Sequence, residues 1–333
     1  MKQLFKVVVF LVFVFALSMP VIAQDDGVIV DGLNAPRGIF YDAEGNLWVV
    51  EAGQGGDLTA ELAFGPVGVG GTGKLKMIEP DGDVEIVIQN LPSQGPAGSA
   101  RGAQDVIVTD DAIWLLLGEA PETLLLGHTL LEIDRDLNRI QTFVDLFSYE
   151  ALENPDGDII NSNPTDFFVT DEGRFYIANA GCNCVQTWAQ GEEVSGFATW
   201  TVDDNPVPTS VAPGPDGSVY VSFLTGFPFP EGTSRIEQYS ADGELLNTIE
   251  GLTAVVDLLV ADDGTIYAVE HGVFGDTGWD AGRIVAVDAD GTITEVMGGL
   301  TRPWGIAMSP DGGLVVVDDS VSENGRVINV PMN

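Results

Sequence analysis

One phrase, repeated with variations along the chain, restricts the folds open to it more than any other feature. It runs from a Pro- or Gly-containing lead through a short apolar run and an Asp-Gly type turn into a second apolar run, as in PTSVAPGPDGSVYVS (Pro208 to Ser222). Alternating apolar residues on both sides of a turn whose Gly accepts positive φ mark a β-hairpin. Further copies are APRGIFYDAEGNLWVVE (from Ala35), GAQDVIVTDDAIWLLLGE (from Gly102), NPTDFFVTDEGRFYIAN (from Asn163), AVVDLLVADDGTIYAVE (from Ala254) and RPWGIAMSPDGGLVVVDD (from Arg302), six in all. A second hairpin follows in GKLKMIEPDGDVEIVIQNL (from Gly73), SRIEQYSADGELLNTIEGL (from Ser234) and GRIVAVDADGTITEVMGGL (from Gly282). With Gly45, Asp111, Gly173, Gly217, Gly264 and Gly312 as markers, the spacings are 66, 62, 44, 47 and 48. Four strands per repeat, at a period close to the ~40–50 residues of propeller blades, predict an all-β, six-bladed β-propeller of four-stranded antiparallel blades.

The two ends of the chain fit this plan in different ways. Met1 to Ala23 lies outside the repeat: Lys2 and Lys6 precede the apolar run Val7 to Ser18, and small or tolerated residues at Val21, Ile22 and Ala23 suit cleavage before Gln24. This predicts a signal peptide over residues 1–23 and one propeller domain over 24–333, secreted or periplasmic and with no membrane anchor after cleavage. The run is shorter than the ~20 apolar residues of a membrane span. The sixth repeat lacks a fourth strand, and GVIVDGL (Gly27 to Leu33) reads like the fourth strands of other repeats. Val28 to Val30 is therefore expected to pair into the last blade and close the ring, removing an exposed edge.

The chain carries 51 acidic and 13 basic residues, a formal net charge of −38. Such a field repels phosphates, so nucleic acid and anionic membranes are excluded as expected partners. Self-repulsion of this size also favours a monomer.

In a four-stranded meander the first-to-second and third-to-fourth connections share one face, and the remaining connections share the other. The first set is uniformly short: Glu44-Gly45, Asp81-Gly82, Asp216-Gly217, Asp242-Gly243, Asp263-Gly264, Asp290-Gly291 and Asp311-Gly312. Their acids read as turn formers. Every long insertion falls in the second set: 52–72, 120–127, 224–233, 272–281 and 320–324. Binding residues collect on loops held by a rigid scaffold, which makes the long-loop face the expected site of function.

Two positions per blade recur there. The end of the second strand carries Glu51, Glu119, Asn179, Ser222, Glu270 and Asp318; the start of the first carries Gly38, Asp105, Asp166, Ser210, Asp257 and Gly305. Carboxylates gathered around one axis must be paired, protonated or bridged by a cation. A divalent ion such as calcium, which takes six to eight oxygens, would draw on Glu51, Glu119, Glu270, Asp105, Asp166 and Asp257. The alternative is structural, each carboxylate accepting backbone N–H bonds from its own blade connection, with Arg37 and Arg302 offsetting the charge. His271, next to Glu270, is the histidine placed for general acid-base work, with Glu270 as the other candidate base; His128 starts an outer strand and reads as structural.

Thr225-Gly-Phe-Pro-Phe-Pro230 is apolar and aromatic within a long loop, and serves equally as a pocket wall or as packing over a blade edge. With Arg37, Trp304 and Asn179, Phe227 and Phe229 make up the candidate ligand contacts. Cys182 and Cys184, two residues apart, suit a local disulfide in an oxidising compartment ahead of two free thiols or a metal site. A short helix is expected within 145–152, followed by an Asx-rich turn holding Asp156, Asp158, Asn161 and Asn163.

GLNAPRG (from Gly32), YEALENPDGDIINSNP (from Tyr149), VPTSVAPGPDGSVYVSFLTGFPFP (from Val207) and GLTRPWGIAMSPDGGLVVVD (from Gly299) together resemble the ScyD/ScyE family of NHL-like six-bladed propellers. The resemblance spans essentially the whole chain after the leader. It implies export and a small-molecule or assembly role tied to an extracellular indole-phenol pigment, and it supplies no catalytic residues. Cys182-Asn183-Cys184 departs from the Gly-Asn-Ser type sequence usual at that point of the family. Two functions follow as expectations: a non-catalytic propeller binding a small, aromatic metabolite or a protein partner on the long-loop face, or a metal-dependent hydrolase or lyase, lactonase-like or streptogramin-lyase-like, working through carboxylates at the channel mouth.

Overall fold

The computed structural model describes residues 27–332 apart from 63–64, 96–99, 121–125 and 137–138; the expected signal peptide lies outside the described residues. Among them the chain is all-β with one short α-helix, α1 (Phe147–Glu153), and the six expected blades of four antiparallel strands form a propeller ring. The innermost strands are Pro36–Tyr41, Ala103–Val108, Pro164–Val169, Pro208–Pro213, Val255–Val260 and Ile306–Met308. Each turns through its Gly-containing hairpin into a second strand, and Gly45, Gly173, Gly217, Gly264 and Gly312 all hold positive φ there. Asp216 and Asp263 accept the N–H groups of Ser218 and Thr265 across those turns, so the turn acids are spent on local geometry.

Period-two alternation sends successive side chains of one blade into two different interfaces. Leu115, Leu117 and Leu131 of blade two pack with Trp48, Val50 and Leu75 of blade one, whereas Leu116 and Leu130 pack with Phe167, Phe175, Ile177 and Trp188 of blade three. Six such clusters fill the six blade interfaces, so the core is a circle of seams.

The ring closes as expected. Val28–Leu33 pairs antiparallel with Gly325–Val330, in register at Val30 with Val327 and Leu33 with Gly325. Leu33 is fully buried against Val317 and Val327, so this strand belongs to the seam between the last and first blades.

Blade one departs from expectation. Its third strand begins at Gly65, well before the expected Gly73, and runs to Ile78, pairing with an extra strand Leu58–Leu62 and with Val84–Gly95. The glycines that made 52–72 read as an irregular loop instead admit close backbone contact: a Cβ on Gly70 would lie 2.7 Å from the Gly55 carbonyl oxygen. Among the described residues no helix is long and apolar enough to cross a membrane.

Candidate functional site

The acids that end the second strands are fastened to the scaffold. Each blade connection brings a backbone N–H into the protein, and such a donor needs an acceptor. Glu51 accepts from Asn34 N at 2.8 Å, Glu270 from Thr253 N at 2.7 Å and Asp318 from Thr301 N at 2.6 Å. The neutral Asn179 does the same for Asn163 N at 2.7 Å and donates to Ser162 and Gln186. The charge of each acid is met by a base from the neighbouring third strand: Lys76 on Glu51 at 2.8 Å, Arg283 on Glu270, and Arg326 on Asp318 at 2.8 Å. Glu119 pairs with Arg101 at 2.7 Å. These partners, rather than Arg37 and Arg302, neutralise the column. Sequence reasoning missed them, although Arg283 and Arg326 share the signal of a basic residue directly after the Gly that opens the third strand.

The first-strand aspartates converge. Ser210 Oγ donates to Asp166 Oδ2 at 2.5 Å and also lies 2.8 Å from Asp257 Oδ1; Asp105 hydrogen-bonds Asp166. Asp166 and Asp257 each reach into the next blade as well, accepting from Val211 N and Ile306 N, both at 2.8 Å. Where this inner circle has Gly38, a Cβ would fall 2.1 Å from Asp105 Oδ1, so the glycine is what lets blade two approach blade one. The three carboxyl groups are partly accessible from the channel but surrounded by protein. Burial, joined by repulsion from Asp166, holds Asp105 and Asp257 well above the usual aspartate range. Asp166 is raised by burial too, against the hydrogen bonds from Ser210 and Asp105. Protonation thus relieves the crowding of charge.

A cavity of about 350 Å³ starts at these aspartates and runs along Ile39, Val106, Phe167 and Leu258 to Tyr41, Val260 and Met308, toward the short-turn face. This cavity therefore lies toward the face opposite the long loops. The six expected metal ligands do not gather: Glu51, Glu119 and Glu270 are engaged by bases, while the three aspartates bind one another and the backbone. Among the described residues no group of three or more His, Cys, Asp and Glu is arranged to hold a metal ion.

Four of the five expected ligand contacts do come together. The loop 224–233 and the small hairpin Phe274–Gly275/Gly278–Trp279 meet on the long-loop face. From rim to axis the ring centroids step from Phe227 to Phe229 (5.9 Å), to Trp279 (4.9 Å), to His271 (4.8 Å) and to Trp304 (5.7 Å). Phe274 packs on Phe227, Phe229 and Trp279. The Arg37 guanidinium ends the line 4.2 Å above the Trp304 ring. Asn179 belongs to the scaffold clamp of blade three and takes no part. Phe274 and Trp279 were not singled out from sequence, although GVFGDTGW sits in a long insertion of the same face.

His271 is buried, and its Nδ1 lies 3.0 Å from the Pro303 carbonyl. Burial lowers its pKa to about 3, against the Pro303 hydrogen bond and with Arg37 and Arg302 adding to the fall. The ring is neutral at physiological pH, Nδ1–H donating to Pro303, and too weakly basic for proton transfer near pH 7. It serves as part of the aromatic wall. Arg37 is 5% exposed; it donates to Ala100 O at 2.7 Å and Ser320 Oγ at 3.3 Å, and its buried Nε has no partner. Burial, followed by Arg101 and Arg302, lowers its pKa to about 9, which leaves it charged at neutral pH. On the same face a cavity of about 520 Å³ is lined by Trp279, Asp280, Thr301 and Arg302.

Cys182 and Cys184 are joined by a disulfide with Cα atoms 5.2 Å apart. Cys184 opens a strand but Cys182 lies in the preceding turn, where Asn183 at φ 46° curls the chain and shortens a separation that an extended strand would leave near the limit of reach.

An NHL repeat profile matches residues 300–328, which lie mostly in the last blade. No curated protein matches the chain. Among solved structures it is similar to a gluconolactonase of Xanthomonas campestris (13% identity, TM-score 0.58, covering 91% of this chain and 89% of that one). It is also similar to a calcium-binding protein, regucalcin, of Agrobacterium tumefaciens (14%, 0.58, 92% and 94%), and to a streptogramin B lyase (12%, 0.52, 92% and 96%). At these identities the likeness is one of fold: the chain is a six-bladed propeller with an NHL repeat match in residues 300–328.

Proposed function

We propose that this chain is an exported, non-catalytic binding propeller of the ScyD/ScyE kind that holds a small aromatic ligand on its long-loop face. The observation that carries the reading is the unbroken line of rings from Phe227 to Trp304, assembled from two separate insertions and the start of the last blade. Offset and edge-on ring contacts favour a planar guest, and the hydrogen bonds of His271 and Arg37 fix the wall in place. The LTGFPFP segment that carries the family resemblance forms part of this wall. The leader-like Met1 to Ala23, the net charge of −38 and the local disulfide suit an extracytoplasmic monomer. Titration of the protein with one- and two-ring aromatic compounds, followed by tryptophan fluorescence and calorimetry, tests this. Saturable binding that weakens about tenfold or more in Trp279→Ala and holds in Asp105→Asn is the expected result. Binding that is absent, or indifferent to Trp279, removes the proposal.

The second reading is a metal-dependent hydrolase or lyase, favoured by the similar gluconolactonase and streptogramin lyase structures. It requires a stoichiometric divalent ion in the purified protein and turnover of a lactone or a cyclic depsipeptide. Protein dialysed against calcium that retains no ion and turns over neither substrate would exclude it.

A further inference from the structure

In a chain with 51 acidic and 13 basic residues, a cation without a carboxylate partner is out of the ordinary. The ion pairs of the described residues take Lys74, Lys76, Arg101, Arg135, Arg174, Arg235, Arg283 and Arg326. Among described arginines, Arg37, Arg139 and Arg302 make none. Arg139 is exposed on an outer strand, whereas Arg37 is buried over the Trp304 ring and Arg302 is half-buried two residues before that tryptophan. The groups that Arg37 does reach are a carbonyl, a hydroxyl and the face of Trp304, all of them neutral. A buried cation surrounded by neutral dipoles is costly unless an anion comes to it.

At Arg302, the half-buried cation without a carboxylate partner among the described residues, there is open space for an anion. Arg302 lines the cavity of about 520 Å³ together with Trp279, Thr301 and Asp280. Asp280 is exposed and makes no ion pair with Arg302 among the described residues. Of the other titratable groups near this cavity, His271 is neutral at physiological pH, the Asp318 carboxylate that accepts from Thr301 N is already met by Arg326, and Asp319, which accepts from the Ser322 hydroxyl, makes no ion pair with Arg302 among the described residues. A guanidinium beside an indole recognises a carboxylate attached to a flat ring, since one side chain meets the charge and the other the π-face.

We infer that the ligand of the long-loop face is an aromatic carboxylate, its ring against Trp279 and its anionic end on Arg302. The inference rests on the aromatic-ligand reading above and adds the charge of the ligand. It also gives the long-loop face an attractive point for an anion on a molecule whose net charge repels anions.

The test is calorimetric titration with a panel of one- and two-ring aromatic carboxylates, benzoate and 2-naphthoate among them, each beside its neutral amide. At low salt the acids are expected to bind about tenfold tighter than their amides. That preference should disappear in Arg302→Gln and return in part in Arg302→Lys. Raising the salt should weaken the acids and leave the amides unchanged. Equal affinity for acid and amide, or tighter binding of the amide, overturns the inference while leaving an aromatic site standing. Failure of every acid and every amide to bind overturns both. Should Arg302→Gln not fold, the acid-to-amide ratio and the salt dependence of the unmodified protein decide the matter.

Discussion

Glu270 shows why a recurring acid need not be a ligand. Its column was visible in the sequence, but its meaning depends on atoms supplied from elsewhere: the Thr253 N–H and the Arg283 guanidinium, 17 and 13 residues away. A buried carboxylate with both a backbone donor and a base is satisfied, and removing it strands the donor. Glu270→Ala is expected to lower stability by about 1–3 kcal/mol, read from denaturant midpoints, while the affinity for an aromatic ligand stays put. A lost affinity with unchanged stability would return Glu270 to the binding site. Thr209 repeats the lesson with a neutral side chain, its hydroxyl reaching Val255 O of the next blade at 2.8 Å.

Single elements were legible to different degrees. Hairpins were the clearest, because Asp-Gly turns and period-two alternation are local properties of adjacent residues. The glycine-rich insertion of blade one was misread, since glycine marks a loose chain and a tightly packed backbone alike, and only neighbours such as Gly55 and Gly56 tell them apart. The expected helix within 145–152 appears as α1, shifted to Phe147–Glu153 and ended by Asn154 in the left-handed region. The Cys182–Cys184 bridge closes a very short loop and so removes little freedom from the unfolded chain. Replacing both cysteines by Ser is expected to cost about 1–2 kcal/mol in thermal or chemical unfolding. A much larger loss would mean that the bridge organises blade three as a whole.

At the scale of the molecule, ring closure brings the aspartates of three blades together and makes stability depend on pH in an unusual direction. Asp105 and Asp257 have folded values raised above the ordinary 3.8, so the folded state binds more protons than the unfolded chain once the pH exceeds that value. Stability from these groups is full below about 4 and falls as pH rises through the window up to their raised values. Asp105→Asn should therefore raise the melting temperature most at neutral and alkaline pH and least near pH 4. His271 works oppositely: its value lowered to about 3 means that its share of stability is present above 6.5 and is lost as pH falls from there toward 3. Melting curves of Asp105→Asn from pH 4 to 9 separate the two, and a shift independent of pH would dismiss the aspartate account.

Sequence by itself determined the main hairpin of each blade, the six-fold repeat, the strand that closes the ring and the face on which the insertions lie. All of these follow from turn chemistry, alternation and strand parity, which are settled within a few residues or by counting strands. Only the tertiary structure decided which base meets which acid, that the channel cavity lies toward the face opposite the long loops, and that Phe229, Trp279, His271, Trp304 and Arg37 form one line. Those facts arise from contacts between blades, where distance in space is set by the closure of the ring and is not written in the distance along the chain.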